Sequence, residues 1–431
     1  MPSLIVREYA RLTTDSVTPS LDRATISRSA LDWLINQSYA FGAVQRPLVK
    51  VDGPRSVRVI NYVGVIETPC GTRLELLPKH VEEAGSIEQA RALLLAMVGV
   101  ALKLKPRAAA LASVAAFEMP LPEWLASQFL DEASNLARRG LRRAYNQTDE
   151  VVPYLRGALD TVAQIRAGPA RLHLFHIRHD VFTIDRPENR LILSTLRHIL
   201  ACTRQSENWR LARELIQLLG DIPQSRDLKG DFRRWGRDRL LADYAALRPM
   251  CELILTKRSP FALKGDFPGL SMLFPMEKLF EEYVLAAVRS SASKTRTVRA
   301  QASDHYLCRY DGHDWFKLKP DILIEEAGKT VVVDAKWKLL NRDKSKNFNL
   351  NSADFYQLHA YGHKYLAGAG EMYLVYPRTD HFPEAIGPFA MSETLRLRVV
   401  PFDLKSPENF HISLGHDECS EISHHTSIVS S

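Results

Sequence analysis

The sequence predicts an α+β protein of several domains. Residues 1–85 are rich in short β-like runs, 86–258 carry amphipathic helical periodicity, 259–404 mix strands with helices, and 405–431 are a polar tail. A single core stops growing near ~250–300 residues, and this chain has 431. Its 45% hydrophobic and 25% charged content excludes the disordered and fibrous classes.

In the β-rich part, Leu48 to Val51, Val57 to Glu67 and Arg73 to Leu77 read as strands, with Thr68-Pro-Cys-Gly-Thr72 as a turn. Ser27 to Ser38 reads as a helix. Glu67, Arg73, Glu75 and Lys79 are expected to face solvent. In the helical part, Ser86 caps a helix that Pro106 stops. Leu121 to Arg143 is amphipathic and ends in a basic cluster that suits phosphates or simply complements the helix dipole. Asp185 is a candidate cap before Pro187 and Glu188. His173, His176 and His179 are spaced by three, but no carboxylate or cysteine pattern makes them a metal site, and surface histidines are the better reading. Arg237 to Lys257 is helical, with a break or kink expected near its middle at Pro249.

After a linker at Pro260 to Gly269, Leu273 to Arg289 reads as a helix with Glu277 and Glu281 on one face. Strand candidates at 298–302, 306–309 and 315–318 lead to the most informative stretch, Lys319 to Lys338. Two Ile/Val-rich runs flank a turn at Glu326-Ala327-Gly328-Lys329 and predict a hairpin. Pairing outward from that turn sets Asp321 opposite Asp334, with Cβ atoms about 5 Å apart, close enough to share a divalent cation. Alternation puts Lys336 on the face of Asp334 and Val331, Val333, Ala335 and Trp337 on the other. A solvated hairpin also shows charges on one face. The opposed spacing, the adjacent lysine and the apolar strand around them favour a metal site. Asp321, Asp334 and the Ala335 carbonyl are hard oxygen ligands of the kind Mg²⁺ takes, and Lys336 suits the charge that develops during phosphodiester hydrolysis. Glu281 or Glu277 could complete the shell. Gln357 and Tyr361, four apart on a helix at Ala353 to Leu366, could support it. Strands follow at Glu371 to Tyr376 and Leu395 to Phe402.

Other chemistries are not supported. Gly328-Lys329-Thr330 imitates the end of a phosphate-binding loop, but Leu323 stands where its first glycine belongs. The five cysteines form no CxxC pair, so neither disulfides nor zinc are indicated and a cytoplasmic setting is expected. No membrane span or signal peptide is evident. A net charge of +7 points weakly to a polyanionic partner.

Pro320-Asp321 with Asp334-Ala335-Lys336 matches the PD-(D/E)xK nuclease signature. Together with Leu279-Phe-Glu-Glu-Tyr283, Gln357-Leu-His-Ala-Tyr-Gly362, Gly64 to Lys79, Leu155 to Asp160 and Pro187 to Ile192, it resembles the McrC family, nuclease subunits of the McrBC modification-dependent (5-methylcytosine) restriction system. The resemblance implies a C-terminal α/β PD-(D/E)xK nuclease domain with a mixed central sheet. It also implies an N-terminal domain that docks to a McrB-like AAA+ GTPase ring and stimulates it. Double-stranded DNA carrying modified cytosine would be the substrate. Mg²⁺ would be held by this chain and GTP by the partner. Asp321, Asp334, Lys336 and Gln357 would take the catalytic roles, with Glu281 as the helix acid and Glu277 and Glu282 as rivals. A non-cleaving GTPase-activating DNA adaptor and a stand-alone repair nuclease are the competing functions.

Overall fold

The computed structural model describes residues 3–42, 46–79, 86–104, 119–168, 171, 173–236, 238–256 and 271–412. The linker expected at 260–269 and the stop at Pro106 lie outside them. Among the described residues the chain divides into two compact units, the second beginning at Met276.

The first unit opens with strands β1 (Ser3–Arg7), β2 (Arg11–Thr13) and β3 (Arg23–Thr25), helix α1 (Arg28–Gly42), and strands β4 (Val49–Val51), β5 (Ser56–Val59), β6 (Tyr62–Glu67) and β7 (Arg73–Leu77). The β6–β7 hairpin forms around the Thr68–Thr72 turn, as its turn residues dictate. β7 is buried along nearly its whole length, so Glu75 is not solvent-facing. It accepts two hydrogen bonds of 2.8 Å from Arg91, which is also buried. Arg91 lies on α2 (Ile87–Ala101), whose N-cap Ser86 accepts the amide of Gln89 at 3.1 Å.

Next come α3 (Leu121–Arg139), β8 (Ala144–Val152), β9 (Ala158–Leu159), α4 (Thr161–Arg166), β10 (Phe175–Thr183), α5 (Pro187–Cys202), α6 (Ser206–Leu218), α7 (Leu228–Arg234) and α8 (Leu247–Thr256). The region read as wholly helical therefore contains a sheet of order β8-β10-β9. Its strands alternate half-buried with exposed residues and lack the apolar stripe that marks a strand in sequence. The stretch expected as one helix is broken ahead of Pro249: a 3-10 segment at Arg239–Tyr244 precedes α8, and Pro249 stands in the first turn of α8, where no backbone donor is needed. Asp185 is not a cap. Arg186 takes that position, and Asp185 pairs with Arg190 at 2.5 Å. The Pro187 to Ile192 stretch builds a buried polar network. Glu188 accepts the Gly236 amide, Asn189 accepts the Tyr244 hydroxyl, and Arg190 pairs with Asp231.

Strand β11 (Ser271–Pro275) then returns to pair antiparallel with β6 and completes a sheet of order β1-β7-β6-β11. Gly64 makes this possible: a Cβ there would stand 1.9 Å from the Met272 carbonyl oxygen. Because β11 follows the helices and closes the N-terminal sheet, the stretches read as separate domains at 1–85 and 86–258 share one unit, and the boundary moves from 259 to 276.

The second unit contains α9 (Met276–Ser290), β12 (Thr297–Ala300), the hairpin β13 (Tyr306–Tyr310) and β14 (His313–Lys317), β15 (Ile322–Glu326), β16 (Lys329–Ala335), α10 (Ser352–Tyr365), β17 (Gly370–Pro377), β18 (Ile386–Ala390) and β19 (Leu395–Phe402). Its six-stranded sheet has the order β12-β15-β16-β17-β19-β18. β16, β17 and β19 run parallel, and the pairs toward both edges are antiparallel, so the sheet is mixed. The β15–β16 turn is Ala327-Gly328, both at positive φ (50° and 77°), as a tight two-residue hairpin turn requires. α10 makes the crossover from β16 to its parallel neighbour β17, burying Leu358 and Tyr361 in a core with Val332, Met372 and Leu374. α9 packs from Phe280 onto Trp337 and Phe402. The tail expected from 405 is not frayed at its start. Phe410 and Ile412 are buried, Phe410 packs against Phe402, and Arg296 donates to the Ile412 carbonyl.

Candidate active site

The hairpin register places the carboxylates. Ile322 pairs with Val333 and Glu326 with Lys329, so Asp321 and Asp334 stand just beyond and at the open end of the ladder. Asp321 is fixed from two sides: its carbonyl accepts the Gln301 amide at 2.9 Å, and its Oδ2 accepts the Ala335 amide at 2.9 Å. Asp334 is buried on a central strand, with 1% of its surface exposed. The hairpin is thus no solvated ribbon; β16 is covered by α9 and α10.

Burial raises the Asp321 carboxyl to about 6, helped by the negative charge of Glu281. Burial and the Asp321 charge raise Asp334 to about 7. Burial pulls Lys336 the other way, but Asp334 more than offsets it and its ammonium is held firmly charged. Lys336 Nζ lies 2.5 Å from Asp334 Oδ2. The contact is a close ion pair between a buried carboxylate and the lysine two residues on. Gln357 Oε1 accepts from Lys336 Nζ at 3.3 Å, and Gln357 Nε2 donates to the Tyr361 hydroxyl at 2.8 Å. That hydroxyl donates to the Lys319 carbonyl at 3.0 Å. One turn of α10 is tied in this way to both the lysine and the segment leading to Asp321.

Of the three helix glutamates, Glu281 is the one whose charge acts on Asp321. Burial raises its carboxyl, and Lys278 holds it at 2.5 Å. Among the described residues no three His, Cys, Asp or Glu side chains stand close enough to hold a metal ion. The three-carboxylate shell expected from Asp321, Asp334 and Glu281 is therefore not drawn together.

Two residues that sequence reasoning passed over belong to this cluster. Asp354, in the first turn of α10, raises the Asp334 carboxyl and supports the charge on Lys336. Its Oδ2 accepts the hydroxyl of the fully buried Tyr376 at 3.1 Å. The signal was its spacing: Asp354, Gln357 and Tyr361 fall on one face of a helix.

The remaining candidates have other partners. His179 contacts Glu150 and Arg156, and Arg139 of the basic cluster pairs with Asp243. Gly328, Lys329 and Thr330 line a cavity of about 450 Å³ with Lys364, Gly370 and Glu371, and it contains none of the site carboxylates. No helix among the described residues is long and apolar enough to cross a membrane.

Comparison with known proteins agrees with this architecture. The chain is 24% identical over 269 residues to the type IV methyl-directed restriction enzyme EcoKMcrBC of Escherichia coli K12, covering 57% of this chain and 73% of that protein. Its fold resembles a chain in the assembly of Thermococcus gammatolerans McrB AAA+ hexamers with bound McrC, with a TM-score of 0.66, 18% identity and coverage of 93% of this chain and 95% of the other. A chain of the T. gammatolerans McrBC complex matches with a TM-score of 0.51 and 21% identity, over 68% of this chain and 89% of that one. The family model of McrBC 5-methylcytosine restriction system components matches residues 57–377. With that match spanning both units, the chain belongs to the family of McrBC 5-methylcytosine restriction system components.

Proposed function

We propose that this chain is the DNA-cutting subunit of a modification-dependent restriction complex. It would act as an Mg²⁺-dependent PD-(D/E)xK endonuclease on double-stranded DNA carrying modified cytosine. Its partner would be an McrB-like AAA+ ring that binds GTP and whose hydrolysis this chain stimulates. The partnership rests on family membership and on the likeness to chains from McrB–McrC assemblies.

The observation that carries the cutting role is the buried Asp334 beside Lys336 at the open end of the hairpin, with Asp321 next to it. Burying two repelling carboxylates opposes folding, and a central strand would gain more from valine. Such a pair suits a hard cation. Mg²⁺ commonly takes one or two protein carboxylates and leaves the other positions to water and phosphate, so a set without a third acid is sufficient. Asp321, Asp334 and the Ala335 carbonyl would hold it, with Glu281 nearby. When bound, the ion polarises the phosphate and acidifies a water. Lys336 brings a fixed positive charge to the phosphate oxygens as the bond breaks. Gln357, held by Tyr361, sets the direction of that ammonium. Asp321 also holds the strand end through the Ala335 amide, so both acids keep their spacing.

The test is cleavage of modified duplex DNA by the full chain with its ring partner, GTP and Mg²⁺. Asp334→Ala should lose at least roughly 100-fold in rate while still co-eluting with the ring. Undiminished cutting by that variant would overturn the assignment.

A further inference from the structure

The exposed face of α10 carries two histidines one turn apart. His359 and His363 place their Nε2 atoms 3.2 Å from each other, with ring centroids 4.4 Å apart. Two nitrogens, each about 2.05 Å from one tetrahedral zinc ion, stand about 3.3 Å apart. The pair already has the bite of a chelate.

The helix beneath them is rigid. Leu358, Tyr361 and Gly362 of the same turns are buried. Tyr361 is bonded to the Lys319 carbonyl and Tyr365 to the Leu318 carbonyl, both at 3.0 Å. Gly368 lies on the other side of the His363 ring, where a Cβ would come within 3.4 Å of Nδ1. The His363 ring turns its Nε2 toward His359. The two rings therefore face each other from a rigid helix before any ligand arrives, which favours a two-point site.

We propose that His359 and His363 form a chelating site for a borderline transition metal ion such as Zn²⁺, Cu²⁺ or Ni²⁺, completed by water. Imidazole selects these ions over Mg²⁺, so the site is chemically distinct from the carboxylate pair. Ligation takes both rings as neutral imidazoles through Nε2, so the hydrogen bond between the facing nitrogens is given up and the donor ring carries its proton on Nδ1 instead, exchanged through water. Loading clamps one turn of the helix that also presents Gln357 to Lys336. The inference does not depend on the chain being a nuclease.

Zn²⁺ titration calorimetry on the full chain tests it, with His359→Gln and His363→Gln as separate variants on an exposed, helix-compatible face. Each should lose one Zn²⁺ equivalent, or weaken it roughly 100-fold. With Cu²⁺, the electron paramagnetic resonance spectrum of the wild-type chain should show two coupled imidazole nitrogens, falling to one in either variant. Unchanged Zn²⁺ stoichiometry and Cu²⁺ spectra in either variant would overturn the proposal.

Discussion

Asp321 Oδ2 accepts the backbone amide of Ala335 at 2.9 Å, so one carboxylate grips the strand that carries the other. Charge and hydrogen bonding can be separated at this position. Asp321→Asn keeps an acceptor for the amide but removes a negative charge that burial and Glu281 both disfavour. In chelator at pH 8 it should melt higher than the wild-type chain, by the equivalent of about 1–3 kcal/mol, while DNA cutting is lost. A lower melting point would mean that the charge is compensated by something other than a cation.

Asp354 and Tyr376 form a second support for Lys336. Asp354→Asn should slow cutting about 10-fold with little change in melting temperature, and Tyr376→Phe should move the rate the same way by less. Single-turnover cleavage paired with thermal melts separates this from a folding defect.

In the first unit, Glu75 and Arg91 are both buried and joined by two hydrogen bonds. Glu75→Ala would leave the guanidinium buried without its carboxylate. Urea unfolding should show a loss of about 3–5 kcal/mol.

Asp231 gives a pH dependence with a definite sign. Although burial raises it, hydrogen bonds from Arg190, Ser225 and Arg234 hold its carboxyl down at about 2. Its folded value lies below the unfolded value of about 3.9. Its contribution is therefore fully present above pH 4 and is lost as pH falls toward 2. The urea midpoint difference between the wild-type chain and Asp231→Asn should be constant from pH 5 to 7 and shrink below pH 4.

Much of the second unit was legible in the sequence because its signals are local. Ala327-Gly328 can hardly be anything but a tight turn, and the flanking Ile and Val runs then fix the register and the place of Asp321, Asp334 and Lys336. α10 and β19 were equally legible from periodicity and alternation. Non-local features were not. Glu75 reads as a surface residue until Arg91 arrives from another helix to share its burial. β11 looks like the start of a helix because its partner, β6, lies about two hundred residues earlier. β8 and β10 pair into a half-exposed ribbon without an apolar face. The spacing that puts Asp354 on the Gln357 face was legible, but its role was not until Tyr376 and Lys336 stood around it.

The Ala327-Gly328 turn has a consequence for distance. It lies six residues from Asp334, about 20 Å along an extended strand, yet it decides which side chain meets which at the far end. One extra residue there would slide β15 against β16 and turn every side chain of the displaced strand to the opposite face. The acids would part without either being touched. A two-residue loop is thus the gauge that spaces the chemistry of the second unit, and its length is as much a property of the site as the residues themselves.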